Sequence, residues 1–121
     1  MLKITAFGKF CRSLRIERGE LLRDMAEHLN VSAAYLSAVE IGKRKIPGDW
    51  RAKIVAQYEL NDDYKRRLDQ AIELSLQEIK INLQDSNDQQ REVALAFARK
   101  IESLDQAALK KIMNVIERGT R

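Results

Sequence analysis

Apolar residues recur every three or four positions through the first part of the chain, the spacing that gathers them on one face of an α-helix. Phe7, Cys11 and Leu14 follow it and predict a first helix over residues 5–18. The chain has one Pro and five Gly, so few turns are forced and helices are favoured. The same spacing predicts four further helices, over residues 20–29, 33–41, 50–58 and 61–77.

The junction between the second and third predicted helices has the features of a helix-turn-helix. Asn30 tolerates a positive φ, Val31 can fill the angle between the helices, and Ser32 is a good N-cap. Leu36 and Val39 would then face inward from the third helix. Two short helices joined by three such residues predict a helix-turn-helix motif.

Residues 78–83 have a different pattern, because apolar and polar side chains alternate there. Alternation of this kind predicts a half-buried strand, with Ile79, Ile81 and Leu83 on one face. A single strand needs a partner. We therefore expect this segment to pair with a second copy of itself or with another protein.

Two more helices are predicted after this strand. One begins at Ser86 or Asn87 and runs to about residue 102, and the other begins at Ser103 or Asp105 and runs to about residue 117. We expect residues 1–77 to form one domain and residues 78–121 to serve dimerisation or partner binding, although their apolar stripe could also complete the first core. The predicted interface residues are Ile79, Ile81, Leu83, Phe97, Ile101, Ile112 and Ile116.

Charge is distributed unevenly along the 121 residues, which carry a net charge of +4. Residues 1–51 hold ten Lys/Arg and six Asp/Glu, whereas residues 52–121 hold twelve of each. The excess therefore lies where a phosphate backbone could use it. No apolar run is long enough to span a membrane. The single cysteine excludes an internal disulfide and suits a reducing cytoplasm.

The third helix would enter the major groove of DNA with its first residues against the base edges. Its small side chains permit a close approach, and the basic run after it could contact phosphates. Tyr35 could instead pack sideways against the second helix. The candidate groove contacts are Ser32, Ala33, Ala34, Tyr35, Ser37 and Ala38, and the candidate phosphate contacts are Arg23, Lys43, Arg44 and Lys45.

Residues 14–47 resemble the Cro/cI (Xre-type) helix-turn-helix family, within a region of similarity spanning residues 5–60. The resemblance rests on Leu14-Arg15, Gly19, Met25-Ala26, Leu29-Asn30-Val31, Tyr35-Leu36, Glu40, Gly42-Lys43 and Pro47. It implies a structural ion pair between Arg15 and Glu40 beneath the third helix. It also implies base contacts from Ala33, Ala34 and Ala38. The chain departs from the family at Leu22, where a phosphate-binding Gln is common, and in having alanines at the usual base-reading positions.

The resemblance and the patterns together predict a mainly α fold. A five-helix lambda-repressor-like helix-turn-helix domain would be followed by one short strand and two C-terminal helices. The expected function is that of a dimeric repressor that binds an inverted-repeat operator. One alternative is an antitoxin that regulates its own operon and binds a toxin through its C-terminal segment. Another is an interaction module that does not bind DNA.

An enzyme is the least favoured class. The sequence has no nucleophile–base pairing, no phosphate-binding glycine loop and no metal-ligand spacing, so we expect no cofactor and no metal. His28, the only histidine, is expected at the surface. Cys11 and Trp50 are expected in the core.

Overall fold

The computed structural model describes residues 3–119, which form seven α-helices and one 3₁₀-helix. The α-helices are α1 (Ala6–Arg18), α2 (Leu22–His28), α3 (Ala33–Glu40), α4 (Trp50–Gln57), α5 (Asp62–Leu74), α6 (Asp88–Lys100) and α7 (Gln106–Gly119). The 3₁₀-helix covers Ile101–Ser103. The chain divides into two compact units after Ile79. Over the described range, none of these helices is long and apolar enough to cross a membrane.

Local capping explains where most helices of the N-terminal unit begin and end. The side chains of Thr5, Ser32 and Asn61 each accept a hydrogen bond from a backbone N–H in the first turn of α1, α3 and α5. Gly19, with φ of 65°, ends α1 in the left-handed conformation. Asp49 precedes α4 without capping it through its side chain. Its carboxylate instead lies 3.1 Å from the Lys53 ammonium, one turn along.

The core of the N-terminal unit forms around α1, which packs against α5, α3 and α2. Apolar side chains from all five helices of this unit meet there and exclude water, which is the main favourable contribution to folding. Its buried apolar residues are Phe7, Cys11, Leu14, Met25, Ala26, Leu29, Leu36, Val39, Trp50, Ile54, Tyr58, Leu60, Leu68 and Ala71.

The predicted strand over residues 78–83 is wrong, since the structure has no strand anywhere between residues 3 and 119. The segment is irregular, and Ile79 and Ile81 are 82% and 66% exposed. A lone extended segment leaves its backbone groups unpaired, and residues 3–119 contain no strand that could pair with it. The expected self-pairing of Ile79, Ile81 and Leu83 as a strand is therefore not proposed again.

The fifth helix also ends earlier than predicted, at Leu74 instead of residue 77. The hydroxyl of Ser75 donates to the carbonyl of Ala71 (2.7 Å) and accepts from the backbone N–H of Phe7 (2.8 Å). Ser75 thereby ties the end of α5 to the start of α1. A hydroxyl bonded in this way stabilises the point where the helix stops.

The C-terminal unit consists of helices with well-formed starts but without a core. Asn87 and Gln90 form a reciprocal capping box at the start of α6, with both bonds at 2.8 Å. The carboxylate of Asp105 accepts from the N–H of Ala108 (2.8 Å) at the start of α7. No side chain from residue 80 to residue 119 is buried. Local sequence therefore specifies these two helices, and packing within the unit does not.

Candidate nucleic-acid interface

The turn between α2 and α3 fixes the direction in which α3 leaves the domain. Asn30 has a φ of 59°, and the N–H of Val31 donates to the carbonyl of Ala26 (3.0 Å). The Ser32 hydroxyl accepts from the N–H of Tyr35 (3.0 Å) and so starts the next helix. Val31 is half-buried and packs against the core. Residues 29–32 thus form a four-residue turn between α2 and α3, which is within the length found in helix-turn-helix motifs.

The outward-facing side chains of α3 are mostly small, and none of them is charged. Leu36 and Val39 are buried, which leaves the opposite side of the helix facing outward. Ser32 and Ala34 are exposed. The other candidate groove residues are half-buried, namely Ala33, Tyr35, Ser37 and Ala38. Apart from the ring of Tyr35, this surface offers no bulk, and it offers no negative charge, to oppose a close approach to a duplex.

A basic loop follows α3 directly. Lys43, Arg44 and Lys45 are all exposed, and Gly42 turns the chain with a φ of 80°. The N–H groups of Lys43 and Arg44 both donate to the carbonyl of Ala38, at 2.9 and 3.3 Å. These bonds hold the loop against the end of α3, where cations also complement the negative end of the helix dipole.

The side chain of Gln77 adds a second anchor to this loop. Its amide donates to the carbonyl of Gly42 (2.9 Å), so the segment after α5 is bonded to the turn that begins the basic loop. This contact joins positions 35 residues apart. Nothing in the local sequence pattern indicates it.

Tyr35 packs toward the start of α4, where Trp50 lies. Its ring meets Trp50 edge-on with centroids 6.0 Å apart. The guanidinium of Arg44 lies 5.3 Å from the centre of the Tyr35 ring, within the range of a cation–π contact. Tyr35 therefore connects an exposed cation of the basic loop to a buried core residue, and the loop is less free than its exposure alone would indicate.

An ion pair lies beneath α3. The guanidinium of Arg15 donates twice to the carboxylate of Glu40, at 2.6 and 3.1 Å, and also contacts the sulfur of Met25 at 3.2 Å. Burial disfavours the charged guanidinium, but the hydrogen bonds and charge of Glu40 outweigh that effect and raise the pKa of Arg15. The pair joins α1 to α3 as the family resemblance implies. It also removes the one acidic side chain of α3 from the surface.

A backbone contact between α1 and α3 was not foreseen from the sequence. The N–H and the hydroxyl of Thr5 both donate to the carbonyl of Glu40, each at 2.9 Å. A side chain at Gly8 would collide with that same carbonyl oxygen. The end of α3 is therefore held against the start of α1. A glycine inside a predicted helix was the available signal, because it often marks a close approach of two backbone segments.

The remaining predicted residues lie away from α3. Arg23 is exposed on α2. The predicted interface residues lie at or beyond the end of the N-terminal unit, where Ile79, Ile81, Phe97, Ile101 and Ile116 are exposed and Leu83 and Ile112 are half-buried. The Leu83 carbonyl accepts from the guanidinium of Arg91 (2.6 Å).

Side chains suited to other chemistry are few. Burial raises the pKa of the Cys11 thiol far above its ordinary value and keeps the thiol protonated. His28 is exposed and lies 3.3 Å from a carboxylate oxygen of Glu20. Among the described residues, no three His, Cys, Asp or Glu side chains cluster as metal ligands would. Comparison of the chain with protein-family models, curated proteins and solved structures finds no match.

Proposed function

We propose that the chain is a cytoplasmic, sequence-specific double-stranded DNA-binding regulator of transcription, acting as a repressor. In this proposal α3 enters the major groove. The residues that meet the base edges are Ser32, Ala33, Ala34, Tyr35, Ser37 and Ala38. Lys43, Arg44 and Lys45 contact phosphates. The proposal extends to an operator with two-fold symmetry.

One observation carries the proposal, namely the combination of a small, uncharged outer surface on α3 with three exposed cations directly after it. Helix-turn-helix proteins read base edges from the first turns of the recognition helix and hold the DNA backbone from the surrounding loops. Burial of Glu40 against Arg15 supports the same reading. An exposed carboxylate at that position would repel the phosphate backbone.

The neutral side chains of α3 also define what kind of reading is expected. Alanine offers a methyl group to thymine methyls but no hydrogen bond, and only Ser32, Tyr35 and Ser37 carry polar side chains there. Direct hydrogen bonding to bases would be sparse. We therefore propose that the shape of the duplex and bridging water contribute to sequence preference.

The experiment that tests this function substitutes Ala34, an exposed residue in the first turn of α3. Ala34→Glu adds bulk and a negative charge facing the DNA, yet a carboxylate near a helix N-terminus favours the helix itself. We expect loss of binding to a duplex obtained by random-site selection, measured by fluorescence anisotropy, with an unchanged unfolding curve.

The matched control is Ala56→Glu, which makes the same change at an exposed position of α4. It alters the net charge equally and so accounts for any general repulsion from DNA. We expect it to retain most of the affinity. If Ala34→Glu binds as well as Ala56→Glu, α3 does not face the groove.

A further inference from the structure

The two C-terminal helices lack the packing that helices of their length need. The bounds of α6 and α7 give lengths of 13 and 14 residues. Isolated helices shorter than about 12–15 residues are marginal in water, and most gain their stability from packing an apolar face. Neither helix contributes a buried side chain. A stable form of this unit therefore requires a surface that a single copy does not supply.

The apolar residues of these helices are arranged as faces and not as scattered positions. Val93 and Phe97 on α6, and Ile101 at the start of the 3₁₀-helix directly after it, follow one another at intervals of four and are 65%, 42% and 40% exposed. On α7, Leu109 and Met113 are 39% and 53% exposed at the same spacing. Residues four apart lie one above the other on a helix. Each helix thus presents an exposed apolar stripe.

The apolar face of α7 is wider than one neighbouring helix can cover. Leu109, Ile112, Met113 and Val115 spread over an arc of about 160° on an ideal helix, whereas a stripe that faces a core is about 100° wide. Helices in a four-helix bundle fill such an arc by contacting two neighbours. One chain offers α7 a single amphipathic partner, α6, so a second copy is the direct way to supply the rest.

The exposed area fits a dimer of ordinary size. At about 190 Å² for a fully exposed large side chain, the five residues of the two stripes expose on the order of 450 Å². An interface is about 60% apolar, so this corresponds to a patch of about 750 Å². A standard interface contributes about 800 Å² from each partner.

Charge argues against a strongly charged partner for this unit. Residues 80–121 contain eight Lys/Arg and six Asp/Glu, which is close to balance. Two copies of such a segment do not repel one another appreciably, and the segment has little attraction for nucleic acid or for a highly acidic protein.

We propose that α6 and α7 from two copies of this chain form one four-helix bundle, with Val93, Phe97, Ile101, Leu109 and Met113 at its centre. The bundle makes the chain a two-fold dimer. The inference does not depend on DNA binding, and it can hold or fail separately from the proposed function.

The test is the mass of the full chain in solution without DNA, measured by sedimentation equilibrium at micromolar concentration. We expect twice the chain mass of 14.0 kDa. Met113→Lys would bury a charge in the bundle and should weaken the dimer by at least about tenfold in dissociation constant. The control is Asn114→Lys, which makes the same substitution at the adjacent exposed position on the polar side of α7.

Because Met113→Lys could dissociate the dimer simply by unfolding α7, a second pair of variants tests the interface on α6. Phe97→Lys should dissociate the dimer, whereas Ala96→Lys on the neighbouring exposed position of α6 should not. Fluorescence of Trp50, the only tryptophan, checks that the N-terminal core is intact in every variant. The proposal would be overturned if the parent chain is monomeric. It would also be overturned if the parent chain gains mass only when another protein, such as a toxin, is added. Equal dissociation of the paired variants would also overturn it.

Discussion

At the scale of single residues, two arginine–carboxylate pairs of nearly the same geometry sit in different surroundings. Arg51 and Asp69 approach at 2.6 and 3.1 Å, as Arg15 and Glu40 do, but about half of each Arg51 and Asp69 side chain is exposed. Hydrogen bonding to Arg51 holds the pKa of Asp69 below its ordinary value. Water and salt screen the exposed pair, whereas the loss of one buried partner leaves the other charge without compensation.

We therefore expect Glu40→Ala to destabilise the N-terminal unit strongly. Removal of the carboxylate leaves the guanidinium of Arg15 buried and unpaired, which costs about 3–5 kcal/mol of unfolding free energy. Urea unfolding followed by Trp50 fluorescence measures the change. Asp69→Ala, the control, should alter stability only slightly. If Glu40→Ala is as stable as the parent but no longer binds DNA, Glu40 contacts DNA or a partner protein directly.

At the scale of elements, what the sequence predicts well is what local interactions determine. The helices over 6–74 follow from apolar spacing together with caps such as Thr5, Ser32 and Asn61, all of which act within one turn. The strand over residues 78–83 fails because alternation shows only that one face could be buried, and a strand also needs a distant partner.

The features of the candidate interface likewise divide into those that local interactions determine and those that depend on long-range contacts. The turn between α2 and α3 and the basic loop are visible in the sequence, because Asn30 and Ser32 act locally and the cations are consecutive. The contact of Thr5 with the Glu40 carbonyl and that of Gln77 with Gly42 each join residues 35 apart. No periodicity or propensity encodes such pairs, so only the folded chain reveals how α3 and its loop are held.

The basic loop supports a prediction about DNA affinity. Arg44 lies after α3 and stacks over Tyr35, and we expect it to neutralise a phosphate without reading a base. Arg44→Ala should weaken binding to all duplexes alike and reduce the slope of log affinity against log salt by about one unit. Affinities of selected and scrambled duplexes across a salt series measure both effects.

Arg66→Ala is the control for that series, because it removes the same charge from an exposed position on α5. We expect its salt slope to match the parent's. A changed order of sequence preference in Arg44→Ala, with an unchanged slope, would show that Arg44 reads a base. Equal slopes for both variants would show that Arg44 makes no phosphate contact.

At the scale of the whole molecule, each of the two units lacks something that a dimer would supply. A single helix-turn-helix makes few base contacts, and a pair of α6–α7 segments without a core requires packing. Joining two copies through the C-terminal unit would connect two α3 helices and raise affinity through their effective concentration. The uneven charge fits this division, since the excess of basic residues lies in residues 1–51 and residues 52–121 are balanced.

The central claim is that α3 reads double-stranded DNA, and selection of bound duplexes from a random pool tests it most directly. Purified full-length protein should enrich an inverted repeat whose half-sites lie about 10 bp apart, or a multiple of that distance, centre to centre. Ala34→Glu passed through the same selection should enrich nothing. A parent protein that enriches no sequence, and that retains no duplex even at low salt, would contradict the account.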